Sequence, residues 1–339
     1  MDENKLKLLF NEEFNKTITN KLKNDVLMLK TAQEYVDLGS AIPFPKKLFG
    51  NLIEKGKLVV LFGDSGTNKS TLMVQICDGI SKGKQQLGLE CMKGKVVLLD
   101  GEIDTKEFSK RYSNHFFEND FLRIEIDFSK MLESDLPLDQ LVFDSLRSIV
   151  GEHRPDLLVI DNLTYIVSGS KEQSKDIIDL LRSVFYFTKK FNTAVVLIGH
   201  VPKLEANRPL LKEHLSGSKV LSDLADAVIG ISGSIKHKNI RYIKELKNRG
   251  HEITFDKDNV LVCETTSENG FLELKKVGFS SEREHLIERK SDELTFEKIT
   301  ELKLEGLSNV KIAKKFGVND KTIGNILRRN SKTRSDSEV

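Results

Sequence analysis

Apolar residues fall into two regimes along the chain. From "AIPFPKKLFGNL" onward, short, nearly continuous runs recur: "KLVVLF" (57–62), "KVVLLD" (95–100), "RIEI" (123–126), "LLVID" (157–161), "AVVLIG" (194–199) and "AVIGIS" (227–232). Unbroken β-branched and leucine runs mark strands buried on both faces, because a half-exposed strand alternates instead. Most gaps between runs are long enough for a crossover helix, such as "IIDLLRSVFYFTKK" from Ile177. The pattern therefore predicts a mostly parallel sheet flanked by helices. After "IRYIKELKNRGHE" the residues alternate and carry the turns "DKDN" and "SENG", which predicts antiparallel strands.

The flanks differ. Residues 1–40 are rich in Lys, Asn and Glu, with apolar positions Leu6, Leu9, Phe10, Val26, Leu27 and Leu29 spaced for one or two helices. That predicts an N-terminal helical arm packed on the main domain or on a neighbouring subunit. Residues 279–294, "FSSEREHLIERKSDEL", are so charged that they read as a linker. A small helical unit starts at Thr295, and the last residues, 331–339, read as a tail. The expected division is an arm (1–40), an α/β domain (41–278), a linker (279–294), an all-α unit (295–330) and the tail.

Composition narrows the class. With 39% hydrophobic and 31% charged residues over 339 positions, the chain has the make-up of a soluble globular protein of two domains at most. Cys77, Cys91 and Cys263 stand far apart with no paired spacing and no histidine cluster, against zinc or a disulfide framework. The first residues lack a signal-peptide core, and no apolar run approaches the ~20 residues of a membrane span. A cytoplasmic location without a membrane partner is expected. The overall net charge of +2 implies no partner, but between Ser308 and Arg334 eight Lys or Arg face one acid, Asp320.

The chemistry centres on "GDSGTNKST", from Gly63 to Thr71, directly after the run "KLVVLF". A phosphate-binding loop needs inward backbone N–H groups, a lysine for the β and γ oxygens, and a hydroxyl for magnesium. Gly63, Asp64, Ser65, Gly66, Thr67, Asn68, Lys69, Ser70 and Thr71 supply that spacing, and "TLMVQICDGIS" continues as an amphipathic helix. The motif's second glycine is replaced by Asn68. Asparagine is among the few residues that tolerate positive φ, so it reads as a permitted variant. The competing reading is a glycine-containing turn with Lys69 as a solvated charge.

Acids follow at two further strand ends. Asp161 ends "LLVID" in the manner of a residue that holds a magnesium shell, although alone such an aspartate is usually a cap or turn residue. "LLDGEID" offers Asp100, Glu102 and Asp104. Asp104 fits a helix start in "DTKE", and Glu102 is the chosen base for an attacking water. His200, after "AVVLIG", is placed to touch a γ-phosphate. The polar segment behind it carries Lys203, Arg208, Lys212 and Lys219, either solvated surface or a nucleic-acid contact.

In "NVKIAKKFGVNDKTIGNILRR" the spacing fits a helix-turn-helix. Ala313 is small where two helices meet, Gly317 falls in the turn, and Val318, Ile323 and Ile326 line the inner face; Ser308 and Asp320 are the expected caps. Lys321, Thr322, Asn325 and Arg328 face outward toward bases or phosphates, with Lys314, Lys315 and Arg329 beside them. Small helical units also dock proteins. The local basic charge favours DNA.

Taken in order, "GDSGTNKST", "LLDGE", "LLVIDNLT", "LIGH", "HLSGSKVLSDLADAVIGI" and "LKNRG" resemble the RecA-type ATPase core, most closely its RepA-like branch of hexameric plasmid and mobile-element helicases. The resemblance runs from about Ile42 to Gly278. It implies an α/β fold, a RecA-like P-loop core with a mostly parallel sheet, joined to a small all-α helix-turn-helix that resembles resolvase and transposase ends. It implies ATP and Mg2+ as cofactors, with Lys69 and Ser70 as the phosphate-loop pair, Glu102 as catalytic glutamate, Asp161 as magnesium aspartate and His200 as sensor. "LKNRG" is similar to the K-x-R element of hexameric relatives, which implies that Lys247 and Arg249 act in a neighbour's site. A homo-oligomeric ring, a hexamer, would then hold single-stranded DNA in its core and duplex at the helix-turn-helix, in replication or transfer. A non-motor ATP-gated regulator or recombination mediator, and a structural protein with a weak nucleotide site, are the rival functions.

Overall fold

The computed structural model describes residues 27–162 except 128, 131, 132 and 134, then 181–200, 208–214, 219–286 except 269, and 296–335; the side chains of 219, 220 and 329–335 are outside that description. The chain divides into two units, Met1–Pro45 and Lys46–Val339. In the first, α1 (Ala32–Ala41) is closed by a capping box in which Thr31 and Glu34 satisfy each other's backbone N–H, and none of its residues is buried. Leu6, Leu9, Phe10 and Val26, assigned to the arm, lie outside the described residues.

The second unit is mixed α/β around a nine-stranded sheet. Its strands are β3 (Leu58–Gly63), β4 (Val96–Asp100), β5 (Phe121–Ile124), β6 (Leu157–Asp161), β7 (Ala194–His200), β8 (Ala227–Gly233), β9 (Ile240–Asn248), β10 (Val260–Glu268) and β11 (Phe271–Ser280). The short pair β1 (Lys47–Phe49) and β2 (Ile53–Glu54) stands apart as a hairpin. In the large sheet the order is β11-β10-β9-β8-β3-β7-β6-β4-β5. The six strands from β8 to β5 are parallel and β9 to β11 are antiparallel. Each expected run forms a strand. "RIEI" is displaced, because β5 pairs Phe121 to Ile124 with Val96 to Leu99 and ends there.

Both faces of the inner parallel strands are buried, which is why their runs do not alternate. In β3, Val59 and Leu61 pack into one core with Leu72, Met73 and Ile76, whereas Leu58, Val60 and Phe62 pack into the other with Val142, Leu146 and Phe187. The first core lies under α2 (Lys69–Lys82) and the second under α4 (Leu138–His153). Between them, α3 (Thr105–Arg111) starts at Asp104, whose side chain accepts from Glu107 N at 2.7 Å. The helix expected from Ile177 is described from Leu181, and it closes as a π-helical turn, Tyr186–Lys190. The short α5 (Lys219–Leu224) precedes β8.

Residues 279–286 pack on the core, contrary to a linker starting at Phe279. β11 runs to Ser280, and the turn after it buries Glu282 and His285. The charge of Glu282 is compensated by buried Lys244 of β9 at 2.5 Å, and its other oxygen accepts from Leu210 N at 2.8 Å. A buried acid is tolerated when paired and hydrogen-bonded in this way.

The C-terminal residues form α6 (Phe296–Leu304), α7 (Asn309–Phe316) and α8 (Asp320–Ser335) around a separate core of Ile299, Leu302, Ile312, Ala313, Phe316 and Ile323. Ser308 caps α7 by accepting from Lys311 N, and Gly317 ends it at φ 65°. Asp320, the expected cap of α8, is its first helical residue; its side chain and that of Asn319 before it both accept from Lys321 N, at 2.9 and 3.0 Å.

Candidate nucleotide site

The loop from Gly63 to Ser70 leaves the carboxyl end of central β3 and turns into α2. Gly63 is required there, since a Cβ would collide with the Ile231 carbonyl of β8. Asn68 adopts φ 70°, ψ 29°, the left-handed conformation for which the motif uses glycine. Its amide side chain does not cap α2. The permitted-variant reading thus has a direct geometric basis.

Inside the loop, Lys69 is 5% exposed and its ammonium donates to the Gly63 and Asp64 carbonyls at 3.0 and 2.8 Å. Burial lowers its pKa, against the opposing charges of Glu102, Asp161 and Asp64. Asp64 also accepts from Ser65 N, and the Thr67 hydroxyl donates to the Asp64 carbonyl, which closes the loop on itself. Ser65 and Gly66 are exposed, and Thr71 is buried at the start of α2.

Asp161 ends β6 beside this loop and is 3% exposed. Burial pushes its carboxyl up to about 7, and the Ser70 hydroxyl bonded to it works the other way. A carboxylate bonded to a hydroxyl is a fitting donor pair for Mg2+, which takes one or two protein oxygens and completes its shell with water and phosphate. The described residues hold no cluster of three or more His, Cys, Asp or Glu able to cage an ion.

Next to Asp161, a polar trio spans three strand ends. His200 Nε2 stands 2.8 Å from Glu102 Oε1, and the Asn162 amide contacts both, 2.7 Å from His200 Nε2. Asp100 places Glu102: its Oδ1 accepts from the N–H groups of Glu102 and Ile103 at 3.2 and 3.0 Å, while its Oδ2 is paired with Arg123 at 3.0 Å. Arg123 in turn stacks over Phe108 at 4.5 Å. Asn162, Arg123 and the supporting role of Asp100 were missed. The sequence signal for Asn162 was its place in "VIDN", directly after an assigned acid; Arg123 had none, because its partner lies 23 residues away across the sheet.

A family model described as AAA domain matches residues 23–206, more than half of the chain and all of the loop, acid and histidine positions just described. The chain belongs to the AAA domain family. Among curated relatives, the DNA repair protein RadA of Aquifex aeolicus is 26% identical over 208 residues, 60% of this chain and 39% of that protein. RadA of Streptococcus pneumoniae is 24% identical over 207 residues, 60% of this chain and 42% of its own. This AAA domain chain therefore matches about two fifths of the length of those relatives. A solved KaiC-like protein, PH0186 from Pyrococcus horikoshii, is similar with a TM-score of 0.46 and 15% identity, covering 66% of this chain and 93% of that one.

Lys247 and Arg249 lie beyond the AAA domain match, at the far end of β9, away from this chain's own loop. Lys247 pairs with Val228 and Asn248 with Ala227, which is itself in register with Val59 near the start of β3. The loop follows the other end of β3, about 16 Å away at ~3.3 Å per residue. Lys247 donates to the Ser222 and Asp223 carbonyls at 2.7 Å, and Arg249 to those of Asp223 and Leu224, at the end of α5. The two cations are thus not brought to the site in this chain.

The nucleic-acid candidates are scattered. Arg208 and Lys212 are exposed on the segment after β7, whereas Lys203 lies outside the described residues. Lys314, Lys315, Lys321, Thr322, Asn325 and Arg328 are all exposed on α7 and α8, while the Arg329 side chain lies outside the described residues. No described helix is long and apolar enough to cross a membrane.

Proposed function

We propose that this protein is an ATP-hydrolysing, DNA-binding motor, a RepA-like replicative or mobilisation helicase of a plasmid or mobile element, acting as a hexameric ring in the cytoplasm. The observation that carries the reading is the meeting of Lys69, Ser70, Asp161 and the Glu102–Asn162–His200 trio at one edge of the sheet. Backbone N–H groups of the loop and the Lys69 ammonium bind the β and γ phosphate oxygens. Ser70 and Asp161 would hold Mg2+, whose charge neutralises those oxygens. Glu102, oriented by Asp100, accepts the proton of the attacking water. Asn162 and His200 fix the Glu102 carboxylate and sense the γ-phosphate. Lys247 and Arg249 lie at the opposite end of the sheet from their own phosphate loop, which supports a role in the site of a second copy.

DNA engagement rests on the basic face of α7 and α8 as a helix-turn-helix for duplex, and on the segment behind His200, with Lys203, Arg208 and Lys212, for a single strand in the ring. The tether would raise the local concentration of DNA at the ring. A second reading, a non-motor ATP-gated recombination mediator, is favoured by the relatives named DNA repair protein RadA.

ATPase and forked-DNA unwinding assays, with mass in solution with and without ATP, test the proposal. DNA-stimulated turnover with strand separation by an ATP-dependent ring is expected. Turnover and assembly without strand separation would select the mediator. Turnover unchanged in Lys69→Ala would remove the site assignment.

A further inference from the structure

Asn68, where the motif has glycine, is held from outside the loop. Its Oδ1 accepts from the Thr265 hydroxyl at 3.3 Å, although the two residues are 197 positions apart. Thr265 belongs to β10 and is anchored by its own backbone, with its N–H bonded to the Asn239 carbonyl at 2.8 Å. One strand nearer the loop, Arg241 of β9 donates to the Gly66 carbonyl at 3.3 Å. Its guanidinium is set by the carbonyls of Lys238 and Ile240 at 2.6 and 2.9 Å. Arg241 is in register with Cys263, two residues before Thr265. The antiparallel strands therefore grip the loop at Gly66 and Asn68, its two positive-φ residues. Further along, α2 is tied to the same strands by a reciprocal pair: Gln75 donates to and accepts from the Leu274 backbone, each at 3.0 Å.

Resting on the nucleotide reading of this loop, we propose that Thr265 is a positioning residue for ATP, acting through Asn68. A left-handed residue before Lys69 turns the loop N–H groups toward the phosphates. Glycine reaches that conformation freely but also leaves it freely. Asparagine with a fixed partner confines it, so the departure from the motif is a latch that pre-forms the anion cradle. Pre-forming a binding shape raises affinity by reducing what must be ordered on binding. The latch acts on ground state and transition state alike, so its loss should raise KM and leave kcat nearly unchanged.

The test measures binding of a fluorescent ATP analogue and steady-state ATPase on the full chain. Thr265→Val, close in shape but without the hydroxyl, should weaken binding by about fivefold, the scale of one neutral hydrogen bond, with kcat within about twofold. Thr265→Ser should restore affinity. In an Asn68→Gly background, Thr265→Val should have no further effect, as a coupled pair requires. Wild-type affinity in Thr265→Val, or the same loss with Gly at 68, would overturn the latch. Lys69→Ala separates the two levels. If it binds the analogue as well as wild type, the nucleotide reading and the latch fall together. If Lys69→Ala loses binding but Thr265→Val does not, the latch alone is wrong.

Discussion

Glu102 and His200, 98 residues apart in sequence, stand 2.8 Å apart at the carboxyl edge of the sheet. Because β4 and β7 flank β6, the residue just past β6, Asn162, falls between them and bonds to both. A base in such a setting is oriented from two sides. On the proposed reading, change at a γ-phosphate beside Glu102 would reach β7, and the segment behind His200, through one side chain.

Glu102→Gln keeps the shape of the trio and removes the proposed proton acceptor. Turnover is expected to fall by about 10²- to 10⁴-fold, the usual worth of a general base. ATP-analogue binding should stay within a few-fold of wild type. Single-turnover hydrolysis beside equilibrium binding checks both halves.

Arg249→Ala should lower kcat with little change in nucleotide affinity, by about 10³-fold if it acts as a finger on transferred charge. Mixing it with Glu102→Gln discriminates the geometry. Activity recovered in mixed assemblies means that one subunit supplies the arginine and its neighbour the glutamate. No recovery at any ratio would mean that Arg249 and Glu102 serve the site of the same subunit.

Lys244 and Glu282 form a buried pair, 7% and 2% exposed. Removing one partner strands the other charge in the core. Glu282→Ala is expected to destabilise the chain by about 3–5 kcal/mol. Denaturant unfolding measures the loss, and the double variant Lys244→Met with Glu282→Leu should recover much of it.

Mild acidification should remove the stability that His285 contributes. His285 is buried against Tyr242, with its two nitrogens 2.7 Å from the Ser280 and Ser234 hydroxyls. Burial and the Lys236 charge hold its pKa below 6.5, while Glu284 and Glu282 oppose them. A base whose pKa is depressed by folding binds its proton more readily when unfolded. Its contribution is therefore intact above pH 6.5 and is lost progressively as pH drops below that value. Between pH 7.5 and 5.5 the Tm of wild type should fall relative to that of His285→Gln.

Removing residues 295–339 should weaken duplex-DNA binding and leave basal ATPase intact, since the C-terminal helices have their own core. In the full chain, replacing Lys321 and Arg328 by alanine should reduce the salt dependence of binding by about one unit per lost phosphate contact. Affinity unchanged by both alterations would move DNA binding to the segment behind His200.

The parallel strands, the loop and its lysine and hydroxyl, the strand-end acids and the small C-terminal core were legible because each is a local signal. A two-faced strand must be apolar at every position, as β3 is, and a phosphate loop must follow such a strand at fixed spacing. Partnership across the sheet was not legible. Nothing in "DNLT" says that Asn162 meets Glu102, and nothing near Arg123 says that it holds Asp100. The start of the charged stretch, residues 279–286, was misjudged for the same reason, since Lys244, which lets Glu282 be buried, lies 38 residues earlier; residues 287–294 lie outside the described residues.

The sequence by itself determined which residues form strands and that Asn68 sits where a left-handed residue is needed, because hydrophobic period and backbone torsion are properties of a few neighbouring positions. Only the tertiary structure decided what those residues do to one another. Strand order set Asn162 between Glu102 and His200, put Lys247 and Arg249 at the far end of the sheet from their own phosphate loop, and brought Thr265 to Asn68. Those distances depend on how the strands pair, and pairing is a choice made by the whole chain.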